Sequence, residues 1–172
     1  SAMRECSGHH ISVKGGRFLE AVAAANTIVF DNTGTLTYAT PTVAQVVPFG
    51  GREESEMLRL AACLEEHYPH SIANAVVEEA KRRGLSHEEY HSQVQYVVAH
   101  GISSMVEGKK AIIGSAHFVF EDEGCRIPEG EEEKFSTLPA EYSHLYLCIA
   151  GELAAVICIF DPLRKEAADA VR

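Results

Sequence analysis

The sequence lacks long apolar runs, clustered positive charge and paired-cysteine motifs. No stretch of about 18 consecutive apolar residues occurs, and the N-terminus does not have the basic and then apolar layout of a secretion signal. The chain has 172 residues, of which 46% are hydrophobic, enough for one ordinary domain or two small ones. We therefore expect a soluble globular protein without a transmembrane helix, and any membrane role lies outside this chain.

Positive charge and cysteine pairs are both scarce. The 15 Lys and Arg residues are outnumbered by 25 Asp and Glu residues, which gives a formal net charge of −10. Sequence-independent nucleic-acid binding needs clustered basic side chains, so nucleic acid is not an expected partner. An odd number of scattered cysteines without CxxC spacing favours reduced thiols and a cytoplasmic location. These cysteines are Cys6, Cys63, Cys125, Cys148 and Cys158.

Hydrophobic periodicity predicts a mixed α/β chain. Residues 18–26 are rich in alanine and suit a helix, and the apolar residues 27–30 predict a short buried strand. Asp31 then lies at the C-terminal edge of that strand. Ligands bind at this edge in open α/β sheets, because loops and helix N-termini gather there.

The middle of the chain predicts antiparallel strands and helices. Residues 42–47 suit a strand, residues 53–66 suit a helix, and a second helix is expected between an N-cap at Ser71 and a C-terminal Gly84. Further predicted features are a strand through Val94, Tyr96 and Val98, hairpins turning at 107–109 and 150–152, and a short helix opened by Ser115. Residues 121–133 carry seven carboxylates, which is typical of a solvated loop.

The stretch FDNTGTLT at residues 30–37 carries the candidate chemistry. An aspartate such as Asp31 can attack the terminal phosphate of ATP and hold it as an acyl phosphate if its neighbours neutralise the developing charge. Gly34 permits a close backbone approach, the amides of residues 32–35 can form an anion nest, and the hydroxyls of Thr33 and Thr35 add donors. For these residues alone, a strand that ends in an Asx-type turn is the simpler interpretation.

A longer pattern resembles the heavy-metal-transporting P-type ATPases of the P1B group. The run VKGGRFLEAVAAANTIVFDNTGTLT is similar to the approach to that family's phosphorylation site. The similarity continues in order and covers essentially the whole chain, through residues 60–80, 97–104, 111–115 and 161–171.

The resemblance implies an α/β fold in which an antiparallel-sheet nucleotide-binding domain with flanking helices is inserted into a partial Rossmann-like domain of haloacid dehalogenase type. Residues 1–39 are expected to begin the phosphorylation domain, residues 40–157 to form the nucleotide-binding domain, and residues 158–172 to start the returning segment. The implied partners are nucleotide and the rest of the same pump, its membrane helices and actuator domain. The chain is expected to be a cytoplasmic domain of an integral membrane protein.

Catalytic roles also follow from the resemblance. It implies that Asp31 is phosphorylated from ATP, that Thr33 and Thr35 contact the phosphate, and that Asp31 and Thr33 hold Mg²⁺ in the intact pump. Asp161 and Arg164 are expected near the hinge between the domains. Because the chain ends before the family's downstream aspartates, which hold magnesium, we expect the fragment to bind ATP and scarcely to hydrolyse it.

The family binds adenine with a glutamate and a histidine five residues later, and the alignment places Glu65 and His70 there. An imidazole can stack on adenine while a carboxylate accepts from its exocyclic amine. The proline precedes the histidine in this sequence, so His67 is a rival. Cys63, His67 and His70 also suggest a metal cluster, although such a cluster lacks a fourth ligand.

Only one residue of the family's glycine pair is a glycine in this sequence. Ala99 stands at the first position of the family's glycine pair and Gly101 at the second, and the added methyl group is expected to weaken nucleotide binding. Gly114 and Ser115 follow a strand and open a helix, where their amides are expected to face the nucleotide. Plain helix capping is an equal alternative for these two residues.

Asn32 stands where the family has a lysine. An ammonium beside the transferring phosphoryl group stabilises negative charge, whereas an amide offers a neutral hydrogen bond roughly half as strong. We therefore expect impaired phosphorylation even in an intact protein with Asn32. One alternative is a haloacid dehalogenase-type phosphatase, but Thr33 stands where such enzymes have a second aspartate as general acid. The other is a non-catalytic nucleotide-binding regulator.

Overall fold

The computed structural model describes residues 2–85, 95–97 and 101–172, with residues 95–97 described as backbone only. The chain divides into two compact units, residues 1–31 and residues 32–172. Within the described residues, no helix is long and apolar enough to cross a bilayer. Val94, Val98, Ala99 and His100 lie outside the described residues.

The first unit contains two short helices, α1 (Ala2–Gly8) and α2 (Gly16–Ala23), neither of which buries a residue. The helix predicted for residues 18–26 is confirmed with a shift toward the N-terminus. The strand predicted for residues 27–30 is wrong, because these residues form no strand and the side chain of Val29 is 90% exposed. An extended apolar segment becomes a strand only when a neighbour accepts and donates its backbone hydrogen bonds, and the described part of this unit contains no such neighbour.

The second unit is built on a six-stranded antiparallel sheet with the order β1-β6-β5-β4-β3-β2. Its strands are β1 (Thr42–Pro48), β2 (Gln95–Val97), β3 (Gly101–Val106), β4 (Lys109–Gly114), β5 (Ser143–Ile149) and β6 (Glu152–Phe160). Both predicted hairpins are confirmed, as is the predicted strand at residues 42–47. The register pairs Val106 with Lys109 in one hairpin and Ile149 with Glu152 in the other.

The sheet has an apolar core on each face. Strand β6 lies between β1 and β5, and its residues 153–159 are all buried. Along this strand Ile157 and Ile159 belong to one core cluster, whereas Val156 and Cys158 belong to the other, as the period of two for a strand requires.

Two helices cover the first of these faces, α3 (Glu54–Glu65) and α4 (Ser71–Arg82). Their apolar side chains pack against the sheet in one cluster that includes Leu58, Leu64, Val76, Ile102 and Ile157. Both predicted helices are confirmed. Helix α4 ends at a glycine in the left-handed region, because Gly84 has φ +69°.

The N-cap of α4 differs from the prediction by one residue. His70, not Ser71, has the extended backbone of a cap, and its Nδ1 accepts a hydrogen bond from the backbone N–H of Ala73 at 3.3 Å. An imidazole nitrogen that lacks a proton accepts a hydrogen bond as a serine hydroxyl does. Ser71 is therefore the first residue of the helix.

The opposite face is covered by a π-helical turn (His117–Asp122) and a short helix, α5 (Glu132–Ser136). The turn confirms the short helix predicted after Ser115, and it buries Phe118 and Val119. The acidic stretch at residues 121–133 is largely exposed, which agrees with the solvated loop that was predicted. Glu131 accepts a hydrogen bond from the Gly50 backbone N–H at 2.7 Å.

The segment before β1 and the segment after β6, which we call the paired connections, run antiparallel to each other. Thr37 forms a bridge with Leu163, the Tyr38 N–H donates to Pro162 O at 3.1 Å, and the Arg164 N–H donates to Leu36 O at 2.8 Å. A last short helix, α6 (Ala167–Val171), follows. Residues 36–38 lead into the sheet and residues 162–164 lead out of it, and these two segments are hydrogen-bonded to each other.

Candidate functional site

Glu65 and His70 form a polar contact between a buried and a half-exposed side chain. Glu65 is the last residue of α3 and its side chain is only 3% exposed, whereas that of His70 is 50% exposed. Glu65 Oε2 lies 3.2 Å from His70 Nε2. The turn between α3 and α4 therefore places a buried carboxylate beside a half-exposed imidazole, and adenine binding by this pair stays a prediction.

The cap on α4 determines the tautomer of His70. Since Nδ1 accepts from the Ala73 N–H, the proton of the neutral ring is on Nε2, which faces Glu65. The contact with the Glu65 carboxylate raises the pKa of His70, and partial burial of the ring opposes that rise. The ring is thus held by one contact at each nitrogen.

The carboxylate of Glu65 keeps spare capacity to accept hydrogen bonds. Its Oε2 atom is buried, and no hydrogen bond of good geometry reaches it from the described residues. The 3.2 Å contact with His70 is an ion-pair distance whose angles fall outside hydrogen-bond geometry. A buried carboxylate oxygen with this capacity is costly in a folded protein unless a ligand supplies a donor.

The rival residues are placed differently. His67 Nε2 lies 3.7 Å from Glu66 Oε1, and the side chain of Cys63 is buried in α3. Among the residues that the structure describes, no three His, Cys, Asp or Glu side chains are grouped so as to hold a metal ion. The metal cluster considered for Cys63, His67 and His70 is therefore not formed.

Gly101 is fixed by packing. It faces Gly114 across the β3 and β4 pair, and a Cβ atom built at Gly101 would lie 2.4 Å from Ile113 O and 2.5 Å from Phe118 Cδ1. Ser115 Oγ accepts from the Phe118 N–H at 3.3 Å and so caps the turn that holds this ring. Gly101 and Ser115 therefore have structural roles, and a nucleotide contact by Gly101, Gly114 or Ser115 stays a prediction.

The stretch after Asp31 forms a tight turn over residues 32–36. Gly34 has φ +83°, a conformation that glycine adopts without strain, and the side chains of Thr33 and Thr35 are exposed. The Gly34 N–H donates to Thr37 Oγ1 at 3.1 Å, so one amide of the predicted anion nest is already engaged. Asp31 is the exposed last residue of the first unit.

Thr37 is a residue that the sequence prediction missed. Its side chain is buried, and Oγ1 accepts from the backbone N–H groups of Gly34 and Ala39 at 3.1 and 3.4 Å. This hydroxyl holds the turn closed from its C-terminal side. A threonine three residues after a turn glycine was the available signal, since Ser and Thr side chains often bond local backbone amides.

Arg164 ties the returning segment to the same turn. Its Nε donates to Thr37 O at 3.1 Å, and its guanidinium carbon lies 5.2 Å from the centre of the Tyr38 ring. Asp161 Oδ1 is buried, and no described residue provides it with a hydrogen bond. The structure thus places Arg164 at the paired connections, and its position near a hinge between domains stays a prediction.

Comparison with known proteins decides the family. The model for haloacid dehalogenase-like hydrolases matches residues 25–172. This chain belongs to that family. A zinc-transporting ATPase of Synechocystis is 33% identical over 164 residues, which are 95% of this chain and 21% of that protein. Copper-transporting ATPase 2 of Rhizobium meliloti is 30% identical over 162 residues, 94% of this chain and 19% of that protein.

Solved structures support the same assignment for this haloacid dehalogenase-like chain. The catalytic domain of the CPx-ATPase CopB-B is similar with a TM-score of 0.64 and 26% identity, covering 99% of this chain and 56% of that one. The chain spans about a fifth of the length of the curated relatives named above. The relatives are metal-transporting P-type ATPases, as the resemblance in the sequence implied.

Proposed function

We propose that this chain is the ATP-binding part, with a portion of the phosphorylation domain, of a pump that transports heavy-metal cations across a membrane. The buried Glu65 carboxylate beside the half-exposed His70 is the observation that carries the proposal. The similarity to zinc- and copper-transporting ATPases gives the class of pump. The domain boundaries at residues 39 and 157 and the cytoplasmic location belong to the same proposal.

Adenine fits the Glu65 and His70 pair chemically. The exocyclic amine of adenine is a donor for the Glu65 carboxylate, whose buried Oε2 atom has no hydrogen-bond donor, and the imidazole, fixed by its cap, offers a flat face for stacking. The ring does not have to be ordered on binding, because α4 already holds it. A nucleotide contact by Gly101 and Gly114, which are register partners on β3 and β4, belongs to the same proposal.

We assign phosphoryl transfer to Asp31, the exposed last residue of the first unit. Asp31 attacks the terminal phosphorus of ATP, and the bond to the leaving ADP oxygen breaks as the aspartyl phosphate forms. The hydroxyls of Thr33 and Thr35 donate to the phosphate oxygens. Asp31 and Thr33 are both exposed and offer the oxygen ligands that Mg²⁺ prefers. When bound, Mg²⁺ neutralises charge on the transferring group.

The identity of residue 33 favours a pump over a phosphatase. Thr33 lies in the turn after Asp31 and has no carboxyl group with which to activate water near neutral pH. An acyl phosphate on Asp31 therefore persists long enough to be coupled to transport. The rest of the pump, its membrane helices and actuator domain, is the expected partner.

Calorimetric titration with a non-hydrolysable ATP analogue tests the nucleotide site. The 172-residue chain is expected to bind saturably with 1:1 stoichiometry, and Glu65→Gln and His70→Ala are each expected to weaken binding by at least about tenfold. His67→Ala is the matched control, because it removes a neighbouring imidazole from the same turn. Circular dichroism confirms the fold of each variant. Equal affinities in all four proteins would refute the assignment.

A further inference from the structure

Glu65 and His70 place a buried carboxylate within reach of a ring that titrates near neutral pH. Glu65 Oε2 lies 3.2 Å from His70 Nε2, and no described residue donates a hydrogen bond of good geometry to that oxygen. In the site proposed above, the same carboxylate accepts from the exocyclic amine of adenine. Adenine and the proton of a charged His70 therefore depend on one buried negative charge, and each reduces the charge that the other encounters.

The cap on α4 makes the two protonation states of His70 differ in geometry. In the neutral ring Nδ1 accepts from the Ala73 N–H at 3.3 Å. In the charged ring both nitrogens carry protons, so Nδ1 and the Ala73 N–H become two donors that face each other. The positive end of the α4 dipole lies at the same place and also disfavours a cation. The ring orientation that the cap holds for stacking is therefore a property of neutral His70.

Few charged groups surround His70 in the described part of the chain. From α3, the Glu65 carboxylate raises the pKa of His70, and burial of the ring lowers it. Residues 71–77 of α4 contain no titratable side chain. His67 Nε2 lies 3.7 Å from Glu66 Oε1 in the turn. The titratable groups of the turn are Glu66, His67 and Tyr68.

We propose, on the basis of the function proposed above for this pair, that nucleotide binds with His70 neutral and that binding to the charged form releases the His70 proton to solvent. The hydrogen bond from the adenine amine neutralises part of the charge on Glu65, which is the group that favours the imidazolium. No covalent bond other than that to the proton changes. Because binding and protonation are linked reciprocally, acid weakens nucleotide binding by the same factor by which nucleotide weakens proton binding.

One interaction opposes this coupling. A charged imidazole that stacks on adenine gains cation–π attraction, which would favour the imidazolium in the complex. That attraction requires the charged ring to stay parallel to the base, and protonation removes the capping contact that holds the ring in place. We therefore expect adenine to lower the His70 midpoint by at least about 0.5 pH unit, which linkage converts to an about threefold or greater loss of affinity in acid.

Adenosine is the probe for this coupling, because it carries the base without phosphate groups, which titrate at about pH 6. NMR measures the midpoint of the His70 ring in the 172-residue chain, first without ligand and then at saturating adenosine. Calorimetry measures the dissociation constant at about pH 8 and at about pH 5.5, on either side of the usual range for histidine. A lower midpoint with adenosine and weaker binding at the lower pH are expected.

Two variants separate His70 from its surroundings. His67→Ala removes the other imidazole of the turn and is expected to keep both effects. His70→Phe keeps a flat ring for stacking but cannot titrate, so its affinity for adenosine is expected to be the same at both pH values. Circular dichroism checks the fold of each variant. The midpoint of His70 in the unsubstituted chain keeps the proposal testable even if His70→Phe does not fold.

The outcomes distinguish this coupling from the nucleotide site itself. Saturable binding of adenosine with an unmoved or raised His70 midpoint would overturn the coupling and leave the site in place. Equal pH dependence in His70→Phe and the unsubstituted chain would also overturn it, because another group would then be responsible. Absence of saturable adenosine binding would overturn it too, and the titration with the ATP analogue decides separately whether Glu65 and His70 bind nucleotide.

Discussion

At the scale of single residues, His70 has two contacts whose strengths depend differently on its charge. The neutral ring caps α4 through Nδ1, whereas the charged ring strengthens the pair with Glu65 and loses the capping acceptor. The Glu65 carboxylate raises the pKa of His70 against the opposing effect of partial burial. Protonation of His70 therefore strengthens one of its contacts and removes the other.

This balance gives a prediction for the titration of His70. Its NMR midpoint is expected above the reference pKa of 6.5, and Glu65→Gln is expected to lower it. Because the folded-state pKa is raised, the pair stabilises the fold below the unfolded pKa, and that stabilisation is lost as pH rises through the folded value. His70→Ala should therefore lower the free energy of unfolding more at about pH 6 than at about pH 8. A His70 midpoint below 6.5 would contradict this account.

Gly101 provides a second prediction at this scale. Gly101→Ala places a methyl group against Ile113 O and the Phe118 ring, and this overpacking is expected to reduce the free energy of unfolding by about 1–3 kcal/mol. Urea denaturation measures the change. Gly16→Ala is the matched control, because nothing lies within 4 Å of a Cβ atom there and its φ is unexceptional. An unchanged midpoint for Gly101→Ala would show that the ring moves aside without cost.

At the scale of elements, the paired connections at residues 36–38 and 162–164 depend on one side chain. Arg164 contacts Thr37 O and the face of Tyr38. Arg164→Ala is expected to speed amide hydrogen exchange at Tyr38 and at residue 164, since those amides form the cross-segment bonds. Arg172→Ala is the control, because Arg172 forms its ion pair with an exposed Asp169 at the end of the chain. Exchange that is equally slow in both variants would contradict a role for Arg164 in the hinge.

Elements that are stabilised by local pattern were predictable from the sequence. Both hairpins, the two covering helices and the turn after Ser115 follow from alternation, helical spacing and glycine positions. The structure of residues 27–30 could not be predicted in this way. Their apolar composition suits a strand, but a strand forms only beside a partner strand, and the described part of the first unit contains none. The cap at His70 was missed because capping rules favour serine over histidine, and the Glu65 and His70 pair was found only through family resemblance.

At the scale of the whole molecule, the two units differ in burial. The sheet unit buries two apolar cores, whereas no residue of α1 or α2 is buried and Val22, Ile28 and Val29 are more than 70% exposed. Both apolar clusters of the described residues are therefore built entirely from the sheet unit.

Asn32 sets a prediction for the full-length protein. Asn32→Lys is expected to increase the phosphoenzyme formed from ATP by at least about tenfold, because an ammonium stabilises the transferring phosphoryl group better than an amide does. Radiolabelled phosphate incorporation measures the increase, and Asp31→Asn in the same background is the negative control. Equal incorporation with and without the Asn32→Lys substitution would show that a lysine is dispensable at this position.

The central claim is that nucleotide binds at Glu65 and His70, and NMR of the His70 ring during titration with an ATP analogue tests it most directly. Saturable shifts of the His70 ring protons and the Gly101 amide are expected, with His67 little changed. It also predicts that Glu65→Gln raises the concentration at half-saturation. Saturable shifts elsewhere in the chain, with the His70 ring unmoved, would place the nucleotide at another site and contradict the account.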